Sequence, residues 1–173
     1  MKIKVAIVGA GYMAKEHIKV FNLISDFEVL GIYSRTYCNA SKLQADYNIK
    51  YNCNSIEELY ETTKADLVLI TVPVLSTMQV LKESIKFDWV HLIEKPIGHN
   101  LSESIEILKM FSELNKKAFA SFNRRFFSST RKVLSSINNS SSKRLISIVD
   151  QEDPMATWEG IREKKLIDYW MYA

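Results

Sequence analysis

The chain has 173 residues, 47% of them hydrophobic, with 5 glycines, 3 prolines and a net charge of +3. That composition argues against a disordered chain and leaves room for one domain and part of a second. Two cysteines with no metal-ligand spacing exclude a disulfide framework and point to a reducing cytosol, and no apolar run nears the ~18 residues of a membrane span.

The first predicted strand, residues 2–8, is apolar and stops at Gly9. Gly11 follows, and a helix is expected at once, over 12–23, with Ile18, Val20 and Phe21 inward and Lys15, Glu16 and Lys19 outward. A strand, a glycine turn and a helix N-terminus in this order form the context of a dinucleotide pyrophosphate site. Gly9 permits the turn, Gly11 lets backbone approach phosphate, and Ala14 is the third small residue, where helix and strand pack closely. The free N–H groups of the helix start, around Tyr12 and Met13, face the anion.

Residues 27–34 read as the second strand. About 20 residues past the glycines, an Asp or Glu would bond the adenosine ribose hydroxyls and repel a 2′-phosphate. Ser34-Arg35-Thr36 stands there instead. A guanidinium pairs with phosphate through two parallel N–H bonds, and two hydroxyls can donate to the same oxygens. NADP is therefore expected over NAD, with NAD still possible; the other reading is an Arg35 stacked on adenine or turned to solvent.

A helix over 40–47, capped near Asn39 or Ser41, follows. Ser55-Ile56-Glu57-Glu58 reads as a capping box opening a short helix. Residues 66–71 form a continuous apolar strand, as in a sheet covered on both faces, and Pro73 ends it. Further expectations are a helix over 76–87, a strand over 89–94 closed by Pro96, a helix over 102–114 capped by Ser102, and a strand over 117–122. This alternation implies an α/β fold, a doubly wound parallel sheet with ligands at the carboxyl ends of its strands. Beyond it come a helix over 130–137, a polar linker over 138–142, a strand over 144–149 and an aromatic-rich end.

Five of the six arginines lie after residue 120, and residues 121–149 hold no acid. Nucleic acid, phosphates of a cofactor or nucleotide sugar, and a solvated basic face are the three readings. The stretch lacks interleaved aromatics beyond Phe126 and Phe127, so no nucleic-acid partner is expected, and no membrane partner or bound metal.

Glu94-Lys95-Pro96 after the fifth expected strand, together with the N-terminal glycines, resembles the glucose–fructose oxidoreductase and inositol dehydrogenase (Gfo/Idh/MocA) family. Thr71-Val72-Pro73 is similar to that family's turn after the fourth strand, which lies along the cofactor. Residues 121–126, Ser-Phe-Asn-Arg-Arg-Phe, are similar to its segment after the sixth strand. Val74 and Thr77 depart from the Asn and His often found there. The resemblance implies a Rossmann domain over 1–122 and the incomplete start of an α+β substrate and dimerisation domain over 123–173. It implies that Lys95, partly desolvated, assists hydride transfer as amine or as polarising ammonium, with Glu94 orienting it or lining the nicotinamide pocket. Thr71, Val72, Pro73, Glu94, Lys95 and Asn123 would line the cofactor, and Asn123 and Arg125 would meet the substrate. His17, His91 and His99 read as structural or exposed, none filling the family's catalytic histidine role. The implied activity is NAD(P)-dependent oxidation or reduction of a sugar or nucleotide sugar at a carbinol carbon, in a cytoplasmic protein and with a surface-polysaccharide pathway suggested. The alternative is a dinucleotide-binding module without turnover. Exposed edges and apolar surface lead us to expect a homo-oligomer, or a disordered tail after about residue 150.

Overall fold

A computed structural model describes residues 1–137; the expectations for 138–173 lie outside the described residues. Two compact units divide at residue 121. The first is built from β1 (Ile3–Val8), α1 (Tyr12–Leu23), β2 (Phe27–Tyr33), α2 (Tyr37–Tyr47), β3 (Tyr51–Cys53), α3 (Ile56–Thr63), β4 (Leu67–Ile70), α4 (Val74–Ser84), β5 (Val90–Ile93), α5 (Leu101–Glu113) and β6 (Ala118–Ala120).

All neighbouring strands are parallel, in the order β3-β2-β1-β4-β5-β6. The chain winds outward from β1 to β3, returns to the centre at β4 and winds out the other way. The reversal leaves a crevice at the carboxyl ends of β1 and β4, the place where such doubly wound Rossmann sheets hold ligands.

Alternation along the central strands explains the two cores. Val5 and Ile7 of β1 and Leu69 of β4 point to one face, where Ala14, Ile18 and Phe21 of α1 and Ala40 and Leu43 of α2 cover them. Ala6 and Val8, with Val68 and Ile70, point to the other, under Leu59 of α3, Leu81 of α4 and Ile107 and Phe111 of α5. With both faces covered, β1 and β4 are continuous apolar runs.

Several boundaries differ from the sequence reading. The strand β3 was not expected: three residues at a sheet edge are too few to show a period. α2 begins at Tyr37 rather than Ala40; its first turn is exposed, so the hydrophobic pattern shows only from Ala40 on. α4 starts directly after Pro73 and ends at Ser84; Ile85 and Phe87, which extend the apolar pattern, are buried from the turn that follows. α5 is capped by Asn100, whose side-chain oxygen accepts from Glu103 N at 2.8 Å, not by Ser102. Val20 is exposed on the outer side of α1. The expected Ser55 cap forms, accepting from Glu58 N at 3.0 Å, while Glu58 reaches back to Asn54 N at 2.7 Å.

The second unit shows a 3-10 turn at Asn123–Phe126 and α6 at Ser128–Ile137. The Thr130 hydroxyl donates to Arg124 O at 3.0 Å and fastens the helix to the turn.

Candidate functional site

The crevice is built from the ends of β1, β2 and β4. Gly9 closes β1 with φ +110°, a conformation that L side chains rarely adopt. Its N–H donates to Tyr33 O at 2.8 Å. Thr71 crosses so near that a Cβ on Gly9 would lie 2.4 Å from Thr71 O. Thr71 is buried, its N–H and hydroxyl both donating to Val8 O, at 2.9 and 3.3 Å. It braces the glycine turn as well as lining the crevice.

Gly11 differs. It is the N-cap of α1, and a Cβ there would meet nothing within 4 Å. No protein atom demands a glycine at this point; the open space belongs to the crevice. No side chain caps α1, whereas Ser55 and Asn100 cap α3 and α5. The first-turn N–H groups of α1 and the positive end of its dipole thus face an open cleft. The donor set and the room beside it fit a dinucleotide diphosphate.

The crevice has a volume of about 490 Å³, within the range of small-molecule sites. It brings together Gly9, Gly11, Tyr12, Met13, Ser34, Arg35, Thr36, Thr71, Val72 and Pro73. Arg35 is exposed at the rim, with no ion-pair partner among the described residues. The Ser34 hydroxyl accepts from Thr36 N at 3.2 Å and keeps its proton for another acceptor. Asn39 of α2, Ile56 of α3, and Ser76, Gln79 and Glu83 of α4 also line the space. The sequence reading missed these because the motif names strand ends, while the walls come from helices placed by the sheet.

Glu94 and Lys95 lie past the end of β5, on the opposite side of the switch point from Arg35. Lys95 is exposed, not desolvated as the resemblance implied. Glu94 is largely buried; Oε1 meets His17 Nε2 at 2.7 Å and Oε2 accepts Lys95 N at 3.1 Å. Burial pushes its carboxyl up, but the hydrogen bonds from His17 and Ser121 outweigh that and hold it below the ordinary carboxylate value.

Asn123 and Arg125 sit in the 3-10 turn of the second unit, Arg125 with its guanidinium carbon 5.3 Å from the centre of the Phe126 ring. Of the other histidines, His91 is fully buried, its Nε2 3.1 Å from the Ser84 hydroxyl. His99 Nδ1 meets Glu103 at 2.6 Å in the turn before α5. Among the described residues, no acid, His or Cys cluster could hold a metal, and no helix is long and apolar enough to cross a membrane.

Inositol 2-dehydrogenase 1 of Paenarthrobacter aurescens is 24% identical over 168 residues, 96% of this chain and 50% of that protein. The crystal structure of scyllo-inositol dehydrogenase from Lactobacillus casei, with bound NAD(H) and scyllo-inositol, superposes with a TM-score of 0.72 at 20% identity, covering 80% of this chain and 41% of that one. UDP-N-acetylglucosamine 3-dehydrogenase from Acidithiobacillus ferrooxidans superposes with a TM-score of 0.70 at 17% identity, covering 79% and 44%. The chain spans half or less of the length of these relatives. Residues 3–122, from β1 through β6, match the oxidoreductase family with an NAD-binding Rossmann fold, Gfo/Idh/MocA, and the chain belongs to that family.

Proposed function

We propose that this chain is the cofactor-holding part of an NADP-dependent oxidoreductase acting at a carbinol carbon of a sugar or nucleotide sugar, with residues 1–122 forming the cofactor domain. The observation that carries the cofactor preference is Arg35. It stands beside two hydroxyl residues at the end of β2, where a ribose-reading carboxylate would otherwise sit, and it has no ion-pair partner among the described residues. The nearest acid of that strand, Glu28, lies near its other end.

Gly9 and Gly11 shape the turn, and the N–H groups of Tyr12 and Met13 hold the diphosphate. Arg35, Ser34 and Thr36 bind the 2′-phosphate. Thr71, Val72 and Pro73 line the path toward β5. A bound nicotinamide supplies the hydride acceptor or donor. Lys95 holds or takes the proton at the carbinol oxygen, as ammonium or amine. Glu94 fixes the turn that carries Lys95. Asn123 remains a candidate for a cofactor or substrate contact, and Arg125 for a carboxylate or phosphate on the substrate. The relatives' names, an inositol dehydrogenase and a nucleotide-sugar dehydrogenase, support a ring carbinol as the reacting group. Two free cysteines, one of them exposed, support a reducing cytoplasm.

The test is a titration of wild type and Arg35→Asp with NADPH and NADH, followed by nicotinamide fluorescence. Loss of a charge-assisted phosphate contact should weaken NADPH roughly tenfold or more and leave NADH little changed. Equal losses for both would overturn the assignment of Arg35.

A further inference from the structure

One contact joins the two ends of the proposed site. His17 belongs to α1, the helix whose first turn faces the crevice. Its Nε2 lies 2.7 Å from Glu94 Oε1 across 77 residues of sequence, with side chains only 19% and 11% exposed. The His17 ring also stacks on Phe21, with centroids 6.3 Å apart and planes 30° from parallel, which fixes its direction.

Glu94 is the meeting point. Its N–H donates to Ile70 O at 2.9 Å, so β4 anchors its backbone. Its carboxylate takes His17 on one oxygen and Lys95 N on the other. The start of the Lys95 turn is therefore tied by a side chain to α1.

We propose that His17 is a positioning residue: through Glu94 it couples the helix that grips the diphosphate to the turn that carries Lys95. The inference rests on the dinucleotide reading. A dinucleotide laid across the switch point has its adenosine on the Arg35 side and its nicotinamide on the β5 side. Loosening Glu94 should then disturb only the nicotinamide half.

That asymmetry makes the test. Ligands with the nicotinamide, NADPH and NADH, are compared with the same molecules lacking it, 2′-phospho-ADP-ribose and ADP-ribose, by calorimetry on the full chain. His17→Phe keeps a ring against Phe21 and deletes the nitrogen. His17→Gln restores a donor near the place of Nε2. The His17→Phe variant should bind the nicotinamide ligands roughly fivefold more weakly and the truncated ligands within about twofold of wild type. The Gln variant should recover most of the loss. Equal weakening of all four ligands marks a merely structural histidine and overturns the proposal, as does no weakening of any. Should His17→Phe fail to fold, His17→Leu, which also deletes the nitrogen, decides by the same criterion. A wild-type chain that binds none of the four overturns the dinucleotide reading and this inference with it; a wild type that binds them, with variants that lose all equally, overturns the inference alone.

Discussion

At the scale of single residues, His91 gives the clearest pH signature. It is fully buried against Trp89 and Phe111, and burial pushes its pKa from 6.5 down to about 4. Between those values the unfolded chain takes up a proton that the folded chain refuses, so stability falls as pH falls through that window. The loss should total about 3 kcal/mol. Urea unfolding at pH 7 and pH 4 measures it, and His91→Leu should flatten most of that slope. An unchanged slope would contradict a neutral, buried imidazole. Glu94 acts later: its carboxyl is held below its ordinary value of 4.5, so its stabilisation is lost only as pH falls below that. The two glycines of the turn should separate cleanly. Gly9→Ala meets Thr71 and an unfavourable φ, and should destabilise the fold by about 2 kcal/mol or more. Gly11→Ala meets no protein atom. It should leave stability within about 0.5 kcal/mol while weakening cofactor binding.

At the scale of elements, the helix caps tell which sequence signals can be trusted. Ser55 and Asn100 both accept from the N–H three residues on. Replacing either by Ala should lower stability by about 1 kcal/mol in thermal or urea unfolding. Ser102→Ala should change little, although Ser102 looks as good a cap in the sequence; equal losses at Asn100 and Ser102 would contradict the assigned start of α5. Long, strongly periodic elements were legible: α1 is found at its expected bounds, and the buried strands β1 and β4 follow from their unbroken apolar runs. What was not legible has physical causes. β3 is too short to carry a period. The first turn of α2 is exposed up to Ala40, so no hydrophobic pattern marks its start. The apolar Ile85 and Phe87 imitate a helix while packing from a loop. In the site, the glycine turn, Ser34-Arg35-Thr36 and Thr71-Val72-Pro73 were readable because motif residues sit at strand ends. The His17–Glu94 pair was not, since a contact across 77 positions leaves no local trace.

At the scale of the whole molecule, the sheet order decides where chemistry can occur. The reversal between β1 and β4 makes one crevice, and α1, left without a side-chain cap, opens into it. A ligand that binds only the folded state must raise its stability by mass action, by about 2.7 kcal/mol at a hundredfold excess over Kd. On the proposed reading, this crevice grips a dinucleotide diphosphate. Isothermal calorimetry of the chain with NADPH, repeated with NADH and with Gly11→Val, is the test. One saturable site per chain is expected, tighter for NADPH, and lost when a valine side chain fills the open space at Gly11. No heat from either cofactor, or undiminished binding by the valine variant, would contradict it.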